Sequence, residues 1–244
     1  MRNLRVTASF CGAAYHGFQR QPNVCAVQNI IEDTLSGILK EKTVIYGCSR
    51  TDAGVHANEF VFSFRTECQV PCKGLIRGMN SLLPDDIAIL DCADAPEDFH
   101  ARYSCRGKEY IYLIHNADIK DPFLYRRAYH YPYKADAEHM NRAAQCIIGT
   151  HDFSAFCGTS GLKDDNVRTV TDISVARDGD MVILTVSADG FLYNMVRIIC
   201  GTLIFVNEGK FSVEDVKRII DSRDRNEAGP TAPPDGLYLN KIFY

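Results

Sequence analysis

The sequence lacks an apolar run long enough to cross a bilayer, and its N-terminus lacks the hydrophobic core of a signal peptide. The first residues lead instead directly into an alternating pattern typical of a strand. We therefore expect a cytoplasmic protein without membrane contact. With 244 residues, 46% hydrophobic and 24% charged, the chain is long enough for one large domain or two smaller ones.

The chain also lacks an excess of positive charge, since its formal net charge is -4. This net charge argues against a protein that coats nucleic acid without specificity, but it is compatible with a local basic cleft. Cysteines are present, but the paired spacing of a zinc ribbon is missing, because Cys68 and Cys72 have no second pair. We assign the 10 cysteines to packing as reduced thiols, and we expect no bound metal.

The first hundred residues predict the order β-α-β-β-α-β. Residues 4–10 alternate as in a half-buried strand, and apolar residues between 27 and 38 recur at helical spacing. On that helix we expect Glu32, Asp33 and Lys40 to face outward. The other predicted elements of this half are strands at 44–46, 60–64 and 87–90 and a helix at 75–83, which ends before Pro84.

The second half predicts a similar order. Asp178-Gly179 marks a hairpin, and Ser212 with Asp215 marks the start of a helix. The full set comprises strands at 109–114, 173–175, 182–186 and 237–244, helices that begin near 136 and 212, and an apolar segment from 188 to 206. We therefore predict an α+β fold of two ferredoxin-like β-α-β-β-α-β units with antiparallel sheets, divided into residues 1–100 and 101–244. A substrate is expected in a cleft between them.

The strongest indication of chemistry is the loop at residues 47–57. In this loop Asp52 follows Arg50 by two residues. The positive charge of Arg50 would keep the Asp52 carboxylate ionised, and an ionised carboxylate can act as a nucleophile. Three other interpretations stay open: an ordinary turn around Gly54, a structural ion pair of Arg50 with Asp52, and a metal site made by Asp52 and His56.

Arg197 is unusual, because it lies within an otherwise apolar helical segment. A buried guanidinium is costly unless an acid pairs with it. Either the side chain extends to solvent, or it reaches Asp52 across the cleft between the halves.

Further polar and aromatic segments accompany the block Arg50-Thr51-Asp52-Ala53-Gly54-Val55-His56-Ala57. They are Tyr15 to Gln21 with Gln28, Asn80 with Leu83-Pro84, Phe99 to Ser104 with Tyr110, His151 to Phe153, Phe191 to Arg197 with Gly201 to Leu203, and Ala232 to Leu239. With these segments, which cover nearly the whole chain and follow the family's order, the chain resembles the TruA family of tRNA pseudouridine synthases. The block at residues 50–57 is the most specific part of the match.

The resemblance implies the pseudouridine synthase fold and isomerisation of uridine to pseudouridine in the anticodon arm of tRNA, at positions 38, 39 or 40, without a cofactor. It implies that Asp52 is the essential aspartate, that Tyr110 stacks on the target base, and that Arg197 pairs with the catalytic acid. It also implies a homodimer. We assign substrate binding to Gln19, Gln21, Arg50, His56, Arg102 and Tyr110.

The chain departs from the family pattern at three places. His16 stands where many members have Asp, Phe18 where they have Trp, and Cys48-Ser49 where they have small residues. None of these positions is Asp52, Tyr110 or Arg197, so we expect the activity to be retained. His16 and Phe18 lie in the Tyr15 to Gln21 loop, where we expect the RNA contacts to differ in detail.

Several mechanisms are compatible with the sequence. Asp52 could attack C1′ of the ribose, add to C6 of uracil, or assist removal of a C2′ proton, for which Tyr110 is a possible base. His56 either orders its loop, which we prefer, or acts as a general acid. Two other classes of protein remain: a tRNA-binding module without activity, and a metal hydrolase that uses Asp52 and His56.

Overall fold

The computed structural model describes the whole chain, Met1 to Tyr244. The chain forms two compact units, one of residues 1–106 with 238–244 and the other of residues 107–237. The last strand thus belongs to the first unit. The division after residue 100 that we predict from the sequence places this strand in the second half instead. Hydrophobic alternation marks a strand but not the sheet edge that receives it, which explains the difference. The roles assigned to the two halves stay a prediction.

The first unit follows the predicted order. Its elements are β1 (Arg2–Phe10), α1 (Val27–Leu39), β2 (Tyr46–Gly47), β3 (His56–Thr66), α2 (Cys72–Leu82) and β4 (Ile87–Ala95), to which the chain's last strand β10 (Leu237–Phe243) is added. The strand order is β4-β1-β3-β10, and β2 also pairs with β3. All these pairings are antiparallel except that of β10 with β3.

Alternation along the strands builds the core of this unit. Leu4, Val6, Ala8 and Phe10 of β1 are all buried, and they pair with the phenylalanines of β3 or their neighbours. This register follows from the two-residue period of a strand, which directs every second side chain to one face. The alternation predicted for residues 4–10 is therefore confirmed.

One prediction on α1 is wrong: Glu32 faces inward rather than outward. Its side chain is only 7% exposed, and its carboxylate accepts hydrogen bonds from Gln28 Nε2 at 2.8 Å and from the amide of Ile45 at 3.0 Å. Arg20 Nη2 lies 2.8 Å from the same carboxylate. A buried charge is tolerated when it is paired and hydrogen-bonded in this way, and helical periodicity gives no sign of such partners.

The second unit contains the remaining elements. These are β5 (Gly107–His115), β6 (Tyr129–His130), α3 (Ala137–Ala144), β7 (Gly149–Asp152), β8 (Val167–Asp178), β9 (Met181–Ala188), α4 (Met195–Asn207) and α5 (Val213–Ser222). The strands run in the order β5-β9-β8-β7, all antiparallel, and β6 pairs in parallel with β5.

The local signals of the second half are confirmed. Gly179, with φ of 55°, lies in the turn between β8 and β9. The Ser212 hydroxyl accepts the amide of Asp215, whose carboxylate accepts the amide of Ser212, which completes the capping box of α5. α4 is almost entirely buried, as its apolar sequence requires.

These ten strands and five α-helices confirm the α+β class. None of the helices combines the length and the apolar character that a membrane crossing requires. None of the 10 cysteines forms a disulfide; Cys92 and Cys200 are buried, whereas Cys11 and Cys146 are partly exposed. Burial raises the pKa of the Cys92 thiol to about 12, so this cysteine stays a neutral packing residue at physiological pH.

Candidate active site

Asp52 lies in a tight turn between β2 and β3, which we call the Asp52 turn (residues 51–55). The amide of Val55 donates to the carbonyl of Asp52 at 3.1 Å, and Gly54 adopts a φ of 81°. A positive φ suits glycine because it has no Cβ. The Asp52 side chain is half-buried. The interpretation as a turn is thus correct for the backbone.

A second loop, the clasp loop (residues 12–18), holds the Asp52 turn through its backbone. The Gly54 amide donates to the Tyr15 carbonyl at 3.2 Å, and the Phe18 amide donates to the Thr51 carbonyl at 3.4 Å. The approach is so close that a Cβ on Gly17 would lie 2.2 Å from the Thr51 carbonyl oxygen. The turn is therefore fixed from outside by backbone contacts that only glycine permits.

His56 is held in the interior beside this turn. Its side chain is 1% exposed, and its Nδ1 accepts the amide of Gly12 at 3.1 Å. The imidazole also stacks on Tyr238 of β10 with ring centroids 4.5 Å apart. These contacts support a role in ordering the loop, the role that we prefer from the sequence. No three His, Cys, Asp or Glu side chains are grouped so that they could hold a metal ion.

Arg50 does not form the structural ion pair considered above. It is exposed and makes no salt bridge with Asp52. Instead it lines a groove of about 410 Å³ in the first unit together with Gln19 and Arg102. The structure thus brings together three of the residues assigned to substrate binding. Gln21 is not among the lining residues, because its Nε2 folds back to the carbonyl of His16 at 3.0 Å.

The buried Glu32 supports one side of this groove. Gln28 and Ile45 both line the groove, and both donate to the Glu32 carboxylate. Gln28 Oε1 in turn accepts the amide of Arg20 at 2.9 Å, which ties the clasp-loop side of the groove to α1. The carboxylate that periodicity predicts on the surface is therefore a support for the site.

Tyr110 belongs to β5 in the second unit. It is 7% exposed, and its ring meets Phe191 edge to face with centroids 5.0 Å apart. Tyr112, two residues further along the strand, is fully buried and donates its hydroxyl to the Pro233 carbonyl at 2.7 Å. Burial raises the pKa of the Tyr112 phenol, which fits the core role expected from the sequence.

Arg197 lies in the first turn of α4, also in the second unit. Its Nε donates to the Ala232 carbonyl at 2.7 Å, and its Nη1 donates to Asn194 Oδ1 at 2.9 Å. The Ala232 amide donates back to the Arg197 carbonyl at 3.1 Å. The guanidinium is half-buried and anchored on its own unit, so simple extension to solvent does not describe it.

Three supporting features were missed from the sequence. The glycines of the clasp loop, the buried Glu32 and the Asn194 and Ala232 acceptors all act through contacts that are distant along the chain or made by uncharged groups. Asn194 has a φ of 62°, which is uncommon for a residue other than glycine, although asparagine tolerates it best. Its place directly before an apolar helix was the one available signal.

Comparison with known proteins identifies the family. A family model described as tRNA pseudouridine synthase matches residues 6–104 and 143–244. The chain is 45% identical over 244 residues to tRNA pseudouridine synthase A of Acetivibrio thermocellus, and the match covers 100% of both chains. It is 44% identical over 245 residues to tRNA pseudouridine synthase A 2 of Clostridium perfringens, again over the full length of both.

The chain therefore belongs to the tRNA pseudouridine synthase family. The full-length matches to proteins named tRNA pseudouridine synthase A also confirm the resemblance to TruA that the sequence motifs indicate.

Proposed function

We propose that this protein isomerises uridine to pseudouridine in the anticodon arm of tRNA, with Asp52 as the essential catalytic residue and without a cofactor. The observation that carries the proposal is the Asp52 turn, which presents one half-buried carboxylate from a backbone fixed by the clasp loop, in a chain that belongs to this family. Such fixation is what catalysis by orientation requires.

The reaction breaks the bond between N1 of uracil and C1′ of ribose, rotates the base, and joins C5 to C1′. C5 loses its proton to solvent and N1 gains one, so that atoms and charge balance. A carboxylate suits this reaction because an aspartate, with a reference pKa of about 3.9, is ionised at neutral pH. It can then act at C1′ or at C6, or assist loss of the C2′ proton.

We further propose that Tyr110 and Arg197 take part in catalysis. A base must leave its stack before an enzyme can act on it, and an aromatic platform compensates part of that cost, about 1–3 kcal/mol. Tyr110 presents a ring ordered by Phe191. Arg197, held by Ala232 and Asn194, offers a fixed positive charge to an anionic partner.

Release of tritium from tRNA that carries uridine labelled at C5 tests the activity and the nucleophile. We expect release with the wild-type protein, and none above background with Asp52→Asn, which keeps the shape of the side chain but removes its charge. Asp91→Asn is the matched control, because Asp91 is exposed on β4. Wild-type rates in Asp52→Asn would refute the assignment.

The same assay separates the other classes of protein. Addition of EDTA should leave the rate unchanged, whereas a metal hydrolase would be inhibited. Labelled tRNA that is bound but never modified by the wild-type protein would indicate a binding module instead.

We also propose a homodimer that acts in the cytoplasm. Two copies together could present a broad basic surface although each chain carries a net charge of -4. Sedimentation velocity with and without tRNA should show two chains in the active species. A monomer that modifies tRNA fully would contradict the dimer.

A further inference from the structure

The groove of the first unit contains aromatic side chains in addition to Gln19, Arg50 and Arg102. Its wall also contains Tyr46 of β2 and the turn that carries His100 and Tyr103. We call this feature the aromatic groove. The polar and aromatic side chains that line it include Gln19, Tyr46, Arg50, His100, Arg102 and Tyr103.

Three of these side chains form a continuous series of rings. The ring centroids of Tyr46 and His100 are 5.1 Å apart, and those of His100 and Tyr103 are 4.4 Å apart. The guanidinium of Arg102 lies 5.8 Å from the centroid of Tyr103. The neighbouring rings are tilted by 43° and 35° and lie at the separations of interacting aromatic pairs, with a cation at one end.

The series is open to solvent and yet ordered. Tyr103 is 78% exposed and Tyr46 is 51% exposed, so neither ring serves the core. His100 Nδ1 accepts the amide of Arg102 at 3.1 Å, and Tyr46 and Tyr103 flank its ring. A fixed aromatic surface loses little freedom when a flat group stacks on it, which favours binding.

The charge of the groove is of one sign. Arg50 and Arg102 line it, and no carboxylate is among its lining residues, although the whole chain has an excess of acids. Arg50 forms no ion pair. A groove that combines open rings with unpaired guanidinium groups has the composition of a site for single-stranded nucleic acid.

We infer that the aromatic groove binds one unpaired nucleotide of the tRNA next to the target uridine. The base stacks on the exposed ring of Tyr103, and the adjoining phosphate contacts Arg50 and Arg102. The inference rests on the proposed function, because it takes the target uridine to be held at Asp52. Arg50 and Asp52 are two residues apart, so their Cα atoms lie within about 7 Å, a separation that suits adjoining nucleotides.

Binding can be observed directly, because the chain contains no tryptophan. Tyr103→Trp introduces the only tryptophan of the chain into the groove, and its indole can be excited separately from the tyrosines. We combine it with Asp52→Asn, so that bound tRNA is not converted during a titration. The indole emission should fall and shift when tRNA binds, because a base then stacks on the ring. Leu82→Trp in the same background is the control, since Leu82 is 64% exposed on α2 and does not line the groove.

Kinetics test whether the stacking matters for the reaction. Tyr103→Ala and Tyr103→Leu should each raise KM for tRNA by about 5- to 150-fold, the range expected for loss of one stacked base, with kcat little changed. Tyr103→Phe keeps the ring and should recover most of that loss. Leu82→Ala should leave both constants as in the wild type. Urea midpoints of the variants verify that each one is folded.

The outcomes separate this inference from the proposed function. If the wild-type protein releases no tritium, the proposed function fails. If it does release tritium, but Tyr103→Ala keeps the wild-type KM or Tyr103→Trp responds no more than Leu82→Trp, the aromatic groove does not bind the neighbouring nucleotide. Equal losses in Tyr103→Ala and Tyr103→Phe would likewise contradict base stacking.

Discussion

Gly17→Ala should damage both the stability and the activity of the protein, because Gly17 carries the closest contact of the clasp loop with the Asp52 turn. At a φ of 83° an alanine costs about 1–2 kcal/mol of conformational strain. The new Cβ would also lie 2.2 Å from the Thr51 carbonyl oxygen, so this oxygen must retreat by about 1 Å to reach an ordinary separation. That movement breaks its 3.4 Å hydrogen bond with the Phe18 amide, a loss of about 1 kcal/mol.

The total loss for Gly17→Ala is therefore about 2–3 kcal/mol, which lowers Tm by about 4–12 °C for a chain of this size. Because Thr51 precedes Asp52, the same movement should lower kcat about 100-fold in the tritium assay, as expected for a catalytic group displaced by about 1 Å.

Two other glycines separate the causes of that loss. Gly179 has a φ of 55° and open space around its Cβ position, so Gly179→Ala should show the strain alone, about 1–2 kcal/mol, with unchanged kcat. Gly37 lies in α1 with open space and ordinary φ, so Gly37→Ala should raise stability by up to about 1 kcal/mol. Urea unfolding followed by circular dichroism measures the stability of the three variants, and the tritium assay measures their kcat. The reasoning fails if Gly17→Ala matches Gly179→Ala in both stability and kcat.

Three further predictions concern buried or hydrogen-bonded polar groups. Glu32→Ala should lower the free energy of unfolding by about 1–3 kcal/mol, because it leaves the buried Ile45 amide without its acceptor. Glu32→Gln should lower it less, and equal urea midpoints for Glu32→Ala and the wild type would contradict this. Thr51→Val should keep or raise stability by up to about 1 kcal/mol, because the buried Thr51 hydroxyl has no hydrogen-bond partner; a marked loss in a thermal melt would show that the hydroxyl is paired. The hydrogen bond from the Ser154 hydroxyl is the largest cause that lowers the pKa of Asp152, followed by the Ser154 amide and the charge of Arg223. The ionised Asp152 therefore stabilises the folded state above the unfolded pKa of about 3.9, and this stabilisation is lost as pH falls through the lower folded pKa. The urea midpoint of Ser154→Ala should lie below that of the wild type at neutral pH and approach it below about pH 4; a difference independent of pH would refute the linkage.

The sequence predicts the parts of the fold that depend on local periodicity. The alternation of β1, the capping box of α5 and the Asp178-Gly179 turn are all confirmed, because each is encoded within a few neighbouring residues. The addition of β10 to β3 is different. It joins Tyr238 to His56 across nearly the whole chain, and no local pattern specifies such a pairing.

The candidate site divides in the same way. Asp52 and Arg50 are predictable because a charged pair in a glycine-containing turn is a local signal, and Arg197 because it is a cation in an apolar segment. Only family resemblance indicates Tyr110. Glu32 was misplaced because helical periodicity reports only the angle of a residue on its helix. The partners that make its burial acceptable, Arg20 and the Ile45 amide, come from loops on either side of α1.

The backbone character of the clasp loop bears on the three departures from the family pattern. The loop holds the Asp52 turn through amides, carbonyls and absent Cβ atoms, so the side chain at position 16 is not part of the contact. At position 18 the requirement is for a ring: Phe18 is 2% exposed and stacks on Phe60 with centroids 3.9 Å apart. Cys48 is fully buried, which suits a small apolar residue as well as the smaller residues usual there. At positions 16 and 18 the departures therefore leave in place what holds the Asp52 turn, namely the backbone of the clasp loop and a stacked aromatic ring.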